Sequence, residues 1–255
     1  YGGFGRAPKF PSPHNLCFLL RYWLRTGEAD ALQMVVTTLE QMQRGGVYDQ
    51  IGGGFHRYST DREWLVPHFE KMLYDQAMLA IAYTEAWQAT QRADFAQTAK
   101  AILDYVLRDM QAPAGGFYSA EDADSGGEEG KFYVWTLAEV RQALTPEETQ
   151  LAIKVFDISE AGNYLEEATG ERKGTNILHL PGPLAELAQE YGLSEGELHK
   201  QLQQIRQKLF AAREPRVHPF KDTKILTDWN GLMLAALALA GRALGEERYL
   251  QAATD

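Results

Sequence analysis

Trp64-Leu65-Val66-Pro67-His68-Phe69-Glu70-Lys71-Met72-Leu73-Tyr74-Asp75-Gln76-Ala77-Met78-Leu79-Ala80-Ile81-Ala82-Tyr83 begins in aromatic, proline-containing chain and runs into a segment, Ala77 to Tyr83, without a charge. The spacing predicts a helix over 68–90, and a helix apolar all round is buried on every side. The stretch 226–244 repeats the pattern, uncharged from Gly231 to Gly241. The segment after the first differs, because 92–111 carries Arg92, Asp94, Lys100, Asp104 and Arg108 along one polar face. Buried helices alternating with amphipathic partners predict an inner and an outer helical layer.

Working outward, the 3.6-residue apolar period predicts further helices over 14–26, 28–44, 136–143, 145–156, 183–191, 194–213 and from 246 onward. The breaks Thr26-Gly27-Glu28, Thr90-Gln91-Arg92, Leu144-Thr145-Pro146, Gly192-Leu193-Ser194 and Gly245 are short enough to make antiparallel hairpins. Hairpin starts near His14, His68, Thr136, Pro183 and Thr227 recur about every 50 residues, the sign of a repeated helix-pair architecture. The expected fold is all-α, an α/α toroid of helical hairpins. Composition never shifts along the chain, so a single domain over 1–255 is expected.

The 255 residues carry 25 Lys+Arg against 35 Asp+Glu, a net charge of -10, which disfavours nucleic acid and anionic membrane surfaces as partners. The most apolar run, Leu232 to Ala240, is far shorter than the roughly 20 residues that span a bilayer. A single cysteine, Cys17, can neither staple the fold nor build a thiolate metal site, and it lies in an apolar run that marks it as core. A cytoplasmic location is expected. The chain opens on Tyr1 and closes at Asp255 inside a helical stretch, so it is expected to be a piece of a longer protein with the toroid incomplete.

Polar residues cluster where the inner helices start: His14-Asn15, His68-Phe69-Glu70-Lys71 and Thr227-Asp228-Trp229-Asn230. If these helices run parallel, their starts meet at one mouth together with the loops Gly2-Gly3-Phe4-Gly5-Arg6, Gly53-Gly54-Phe55-His56-Arg57 and Gly115-Gly116-Phe117-Tyr118. The mouth would have a wall of Phe4, Tyr48, Phe55, Tyr58, Trp64, Phe117, Tyr118, Phe132 and Trp135, with Tyr74, Trp229 and Asn230 beside it. Flat aromatics and convergent hydrogen-bonding groups suit a sugar or other polyol.

Bland readings compete at several positions. Thr227 and Asp228 read equally as helix caps. Asp75, in an apolar helix, is either a tuned general base or the i+4 partner of Lys71. Asp122 and Asp124 belong to an acidic segment whose fifth and twelfth loop positions, Gly126 and Tyr133, rule out an EF-hand; a weak ligand-binding role competes with a solvated turn. Zinc and phosphate-loop patterns are absent, so neither a metal nor a cofactor is expected.

Five motifs in order carry a resemblance. Gly3-Phe4-Gly5-Arg6-Ala7-Pro8-Lys9-Phe10-Pro11, Gly45-Gly46-Val47-Tyr48-Asp49-Gln50-Ile51-Gly52-Gly53-Gly54-Phe55-His56-Arg57-Tyr58, Trp64 to Ala77, Phe117-Tyr118-Ser119-Ala120-Glu121-Asp122-Ala123-Asp124-Ser125 and Leu226-Thr227-Asp228-Trp229-Asn230-Gly231-Leu232-Met233 resemble the thioredoxin-domain-containing family typified by spermatogenesis-associated protein 20 and the bacterial YyaL-like proteins. The resemblance implies a thioredoxin-like domain upstream, absent here along with any C-x-x-C. It also implies a toroid of the kind shared by N-acylglucosamine 2-epimerases and six-hairpin glycosidases. In such epimerases histidines abstract and return a proton beside a sugar carbonyl. His56 and His68 are the candidates here, with Arg57 steadying the oxyanion and Glu70, Asp75 or Asp228 orienting them. A hydrolase would instead use two carboxylates from Glu70, Asp75, Asp122, Asp124 and Asp228. A binding or scaffold toroid serving the thioredoxin-like domain is the alternative to either enzyme.

Overall fold

The computed structural model describes residues 1–165, 170 and 172–254. Its helices are α1 (Pro13–Thr26), α2 (Ala29–Arg44), α3 (Leu73–Thr90), α4 (Ala93–Tyr105), α5 (Leu137–Ala143), α6 (Pro146–Val155), α7 (Leu184–Glu190), α8 (Glu195–Arg213), α9 (Thr227–Leu244) and α10 (Glu247–Ala252). Local chemistry sets the ends. Pro13 opens α1, where its missing N–H costs nothing, and Gly27 closes it at φ 75°, a backbone region that favours glycine. Capping boxes pair Thr136 with Glu139, Thr145 with Glu148 and Ser194 with Glu197, so α5, α6 and α8 each start on a satisfied backbone.

The short strands are β1 (Tyr58–Ser59), β2 (Pro67–His68), β3 (Lys71–Met72), β4 (Ala120–Glu121), β5 (Asp124–Ser125), β6 (Glu128–Glu129), β7 (Trp135–Thr136), β8 (Thr175–Asn176) and β9 (Lys221–Asp222). They pair as β1-β2, β3-β4-β9, β5-β6 and β7-β8, all antiparallel. This corrects one boundary. The helix expected from residue 68 begins at Leu73, because His68 and Lys71 belong to strands whose backbone groups are already paired. In the following helix, the stretch expected to be helical to 111 widens into a π-helical turn over Val106–Met110.

Two concentric arcs result. In the inner one α3 lies between α1 and α9; in the outer one α2, α4 and α10 back them. The outer helices are tied sideways by Gln43, which donates to Asp94 at 2.9 Å, and by Tyr249, whose hydroxyl donates to Asp104 at 2.6 Å. The layers are tied to each other by the buried Tyr83 hydroxyl on the Leu39 carbonyl at 2.9 Å. The inner helices start at the same end: Lys9, just before α1, bridges to β1, while β3 and β9, just before α3 and α9, share one sheet. They are therefore parallel, as hairpin repeats require.

The fold is an α/α toroid of helical hairpins, but the expected succession of five ring hairpins needs correction. Helices α5 to α8 pack on one another around a separate core that includes Val140, Phe156, Leu198, Leu202 and Ile205, and α9 follows α3 directly in the arc. The reason is visible in the helices. Residues α5 and α7 contribute are few, with one buried face each, whereas α3 buries residues all round. Among the described residues no helix is long and apolar enough to cross a membrane.

Cys17 packs in the inner core against this arc, 4% exposed, and burial pushes its thiol up to about 11. An aromatic disulfide reagent at pH 7.5 is expected to label it roughly 10²-fold more slowly in the folded chain than in denaturant. Equal rates would show that the inner helices open readily.

Candidate functional site at the inner helix starts

The paired strands before α3 hold a compact group of side chains. His68, on β2, has Nδ1 2.7 Å from Glu129 Oε1 and Nε2 3.2 Å from Glu70 Oε2. Arg57 donates from Nη1 to the same Glu70 oxygen at 2.9 Å. Tyr58 stacks on the His68 ring at 5.0 Å, with Phe10 behind it at 4.8 Å. Carboxylates on both ring nitrogens and a stacked phenol fix the imidazole plane, the kind of support a proton-transfer group needs. These side chains are half-buried, so a ligand can reach them.

One turn into α3, Asp75 is buried and its Oδ2 has no hydrogen-bond partner. Burial pushes its carboxyl up to about 7, against the opposing pull of the Arg57 charge. Lys71 is not its partner, so the i+4 reading of this pair is corrected. Beside it Tyr74 meets Trp229 of α9 edge-on at 4.8 Å, joining the starts of two inner helices.

The other expected site residues lie elsewhere. His56 is 1% exposed, its Nδ1 is 3.0 Å from the Phe69 carbonyl, and its ring meets the edges or faces of Phe69 and Tyr133. Burial, reinforced by Lys71, lowers its pKa to about 3, which keeps it neutral. Phe55 and Trp64 are fully buried in the inner core, and Tyr48 packs on Phe55 at 4.9 Å. Asn230 is buried and structural in its bonding, accepting from the Phe117 amide at 2.7 Å and donating to the Phe117 and Leu226 carbonyls. Tyr118 is half-buried, while Phe4, Asp122, Asp124 and Asp228 are exposed. Asp122 and Asp228 accept only weakly placed or adjacent backbone amides, from Asp124 and Trp229. The acidic segment is the β5-β6 hairpin, turned by Gly126 and Gly127, and no group of three metal-ligating side chains occurs among the described residues.

Behind the site, sequence reasoning missed a buried ion network. Asp49 receives both terminal nitrogens of Arg213 at 2.9 Å, Lys71 Nζ at 2.9 Å, and the amides of Ile51 and Gly52 at 3.0 and 2.9 Å. Burial alone would raise the Asp49 carboxyl, but Arg213 and then Lys71 outweigh it and hold it well below the usual range. Lys71 also donates to the Gly53 carbonyl at 2.8 Å and lies over Tyr105 at 4.2 Å. A Cβ at position 52 would lie 2.2 Å from the Arg213 guanidinium and 2.8 Å from the Asp49 carboxylate, so any side chain there would have to displace the ion pair.

With this geometry in place, comparison with known proteins locates the chain. Human spermatogenesis-associated protein 20 is 45% identical over 277 residues, covering 100% of this chain and 35% of that protein. The sequence is a homologue of one segment of the spermatogenesis-associated protein 20 family. The mouse protein of that name matches likewise at 45%, and an uncharacterized Caenorhabditis elegans protein at 36% identity covers 99% of this chain and 37% of its own. The chain thus spans about a third of the length of the spermatogenesis-associated protein 20 relatives it matches, 35% of each. No protein-family model matches it. Among solved structures, a cellobiose 2-epimerase from Spirochaeta thermophila aligns over 99% of this chain and 76% of its own, at 15% identity and a TM-score of 0.44. A family 76 mannosidase from Bacteroides thetaiotaomicron aligns over 95% and 57%, at 12% identity and a TM-score of 0.43. These likenesses concern the fold alone, and the toroid assignment rests on the hairpin packing.

Proposed function

We propose that the inner helix starts bind a reducing sugar or similar polyol and move a proton at the carbon beside its carbonyl. The observation that carries this reading is the His68 imidazole held between Glu70 and Glu129, next to Arg57 and the buried, unpartnered Asp75. In the step envisaged, the sugar displaces Glu70 from Nε2 of His68, this nitrogen takes the proton while Glu129 holds Nδ1–H, and the C–H electron pair moves into an enediolate. Arg57 stabilises the developing oxyanion. Asp75, with a pKa close to neutrality, is suited to give or take the second proton. Return of the proton to the opposite face gives an epimer, and the electron count is conserved without an added oxidant or reductant. A hydrolase would draw its carboxylates from Glu70 and Asp75, but Glu70 is already engaged by both Arg57 and His68. His56 serves in this reading as a neutral wedge behind Phe69.

The test is incubation with a panel of reducing sugars in heavy water, following deuterium entry beside the carbonyl by NMR. His68→Gln is expected to slow exchange about 10²-fold or more with the fold intact by circular dichroism. Absence of exchange from every sugar, with or without binding, would overturn the enzymatic reading; binding alone would favour a toroid that presents a ligand to a thioredoxin-like domain elsewhere in the full-length protein.

A further inference from the structure

A second site lies between the outer arc and the α5–α8 core. His199, Gln203 and Arg206 fall at i, i+4 and i+7 on α8, one face of that helix, and line a cleft of about 450 Å³ opposite Asp94, Thr98 and Ala101 of α4. A neighbouring hollow of about 460 Å³ shares Gln43, Asp94, Leu180 and Leu184 with it and is lined by Arg44 at the end of α2. Together they offer the volume of a small-molecule site.

By count the lining charges balance, four arginines against four carboxylates, but their pairing does not. Asp94 accepts from Arg92 at 2.7 and 3.1 Å, Glu40 pairs with Arg92 as well, Asp104 accepts from the Tyr249 hydroxyl at 2.6 Å and Arg248 at 2.7 Å, and Glu195 is exposed at the start of α8. Arg92 and Arg108 are thus engaged, the latter by Asp109, but Arg206 and Arg44 are not. The Nε of Arg206 and the Nε of Arg44 are both buried without an acceptor, and neither side chain has a carboxylate partner among the described residues. The hydrogen bond that Arg206 does make is long, 3.5 Å to the neutral Oε1 of Gln50, whose amide nitrogen is spent on the Gln43 and Gly45 carbonyls at the end of α2. Both side chains are half-buried, with the Nε atom closed off and the rest of the guanidinium open to the hollow, so each is a cation without a carboxylate partner facing a cavity. Two such groups on adjoining hollows point to an acceptor supplied from outside.

We propose that this cleft binds a small oxyanion-bearing molecule, phosphoryl or carboxylate, with Arg206 and Arg44 as its charge partners and Gln203 and His199 as further hydrogen-bonding groups. The planar guanidinium fork matches both classes of oxyanion, and it is the fork that makes arginine preferable to lysine there. The proposal is independent of the proton-transfer chemistry at the inner helix starts, because none of those residues lines the cleft.

Calorimetric titration and thermal melting of this chain at low ionic strength with inorganic phosphate, glycerol 3-phosphate and succinate test it. At least one is expected to bind saturably and raise the melting temperature, and the phosphate and succinate arms tell which oxyanion is preferred. Arg206→Met and Arg44→Met are each expected to weaken that binding about tenfold or more, while the unliganded variants melt close to the parent because no carboxylate partner within the chain is lost. No saturable binding at about 10 mM of any of the three would overturn the proposal, as would binding unchanged in both variants. A fall of several degrees in the unliganded Arg206→Met would also overturn it, by showing that the protein itself uses the charge.

Discussion

Asp49→Ala is expected to lower the melting temperature by roughly 6 to 20 °C, read by circular dichroism at pH 7. The carboxylate faces two cations, Arg213 and Lys71, each at 2.9 Å and each almost fully buried. Removing one member of a buried ion network typically costs ~3–5 kcal/mol, because the charges left behind keep their desolvation penalty and lose their compensation. In a chain of about this size each kcal/mol moves the midpoint by roughly 2–4 °C. Geometry adds to the effect. Asp49 sits in the loop after α2, Lys71 on β3 and Arg213 at the end of α8, so one carboxylate ties the inner arc to the second core. Asp49→Asn keeps an oxygen for the Ile51 and Gly52 amides and should fall between the parent and the alanine variant. The pH dependence has a definite sign. A carboxyl whose folded pKa lies below its unfolded value contributes stability that is complete above the unfolded pKa and is lost as pH falls through the folded one. The contribution of Asp49 should therefore persist through mild acid and fade only well below pH 4. A melting temperature for Asp49→Ala within 2 °C of the parent would show that the network does not hold the two cores together.

That network also marks where a sequence stops being legible. Local signals set the helices: the proline before Leu16, the Thr-x-x-Glu and Ser-x-x-Glu capping boxes, Gly27 and Gly245 at left-handed backbone, and the uncharged body of α3. The start of α3 is not legible because His68 to Met72 has a helix-compatible composition and is drawn into strands by partners at Tyr58, across a loop, and at Ala120, far along the chain. The same distance hides the ion network, in which Lys71 meets a residue 22 positions back and Arg213 one 164 positions back. Composition misled in one respect. Aromatics beside glycines read as a ligand wall, yet Phe55 and Trp64 fill the core, because glycine lets two backbones approach and the neighbouring ring takes up the space inside. His68 and Glu70 stand out by their place at an expected helix start, Arg57 by its glycine-rich loop and Asp75 as a carboxylate in an apolar helix, and the four do lie together; Glu129 is hidden in what reads as a solvated acidic turn.

Asp75→Asn is expected to stabilise the chain in mild base and to remove the fall in stability with rising pH that this carboxyl imposes between about pH 4 and 7. What remains is the opposite rise that buried, neutral His56 contributes up to about pH 6.5. The carboxyl is raised to about 7 by burial, and its Oδ2 finds no donor, so the native state holds a proton that the unfolded chain has already released. The sign follows from proton counting. Between the unfolded and folded pKa values the native state binds more protons, so stability falls as pH rises through that window and levels off above about 7. A shift of about three units corresponds to ~4 kcal/mol, an upper figure because some water relaxation accompanies ionisation in the folded protein. Asparagine is never charged and avoids this loss, though its amide must find acceptors, so a gain of ~2–4 kcal/mol at pH 8 and near equality at pH 4 are expected from urea midpoints. Parallel pH profiles for parent and variant would mean that Asp75 ionises in the folded chain at its ordinary pKa, and the second proton carrier of the proposed mechanism would be lost with it. If the profiles diverge as expected while deuterium exchange falls in the same variant, the destabilising carboxyl is retained for its chemistry. An asparagine there would make the fold sturdier at the cost of the reaction, the trade expected where a site is held under strain rather than where a core is merely packed.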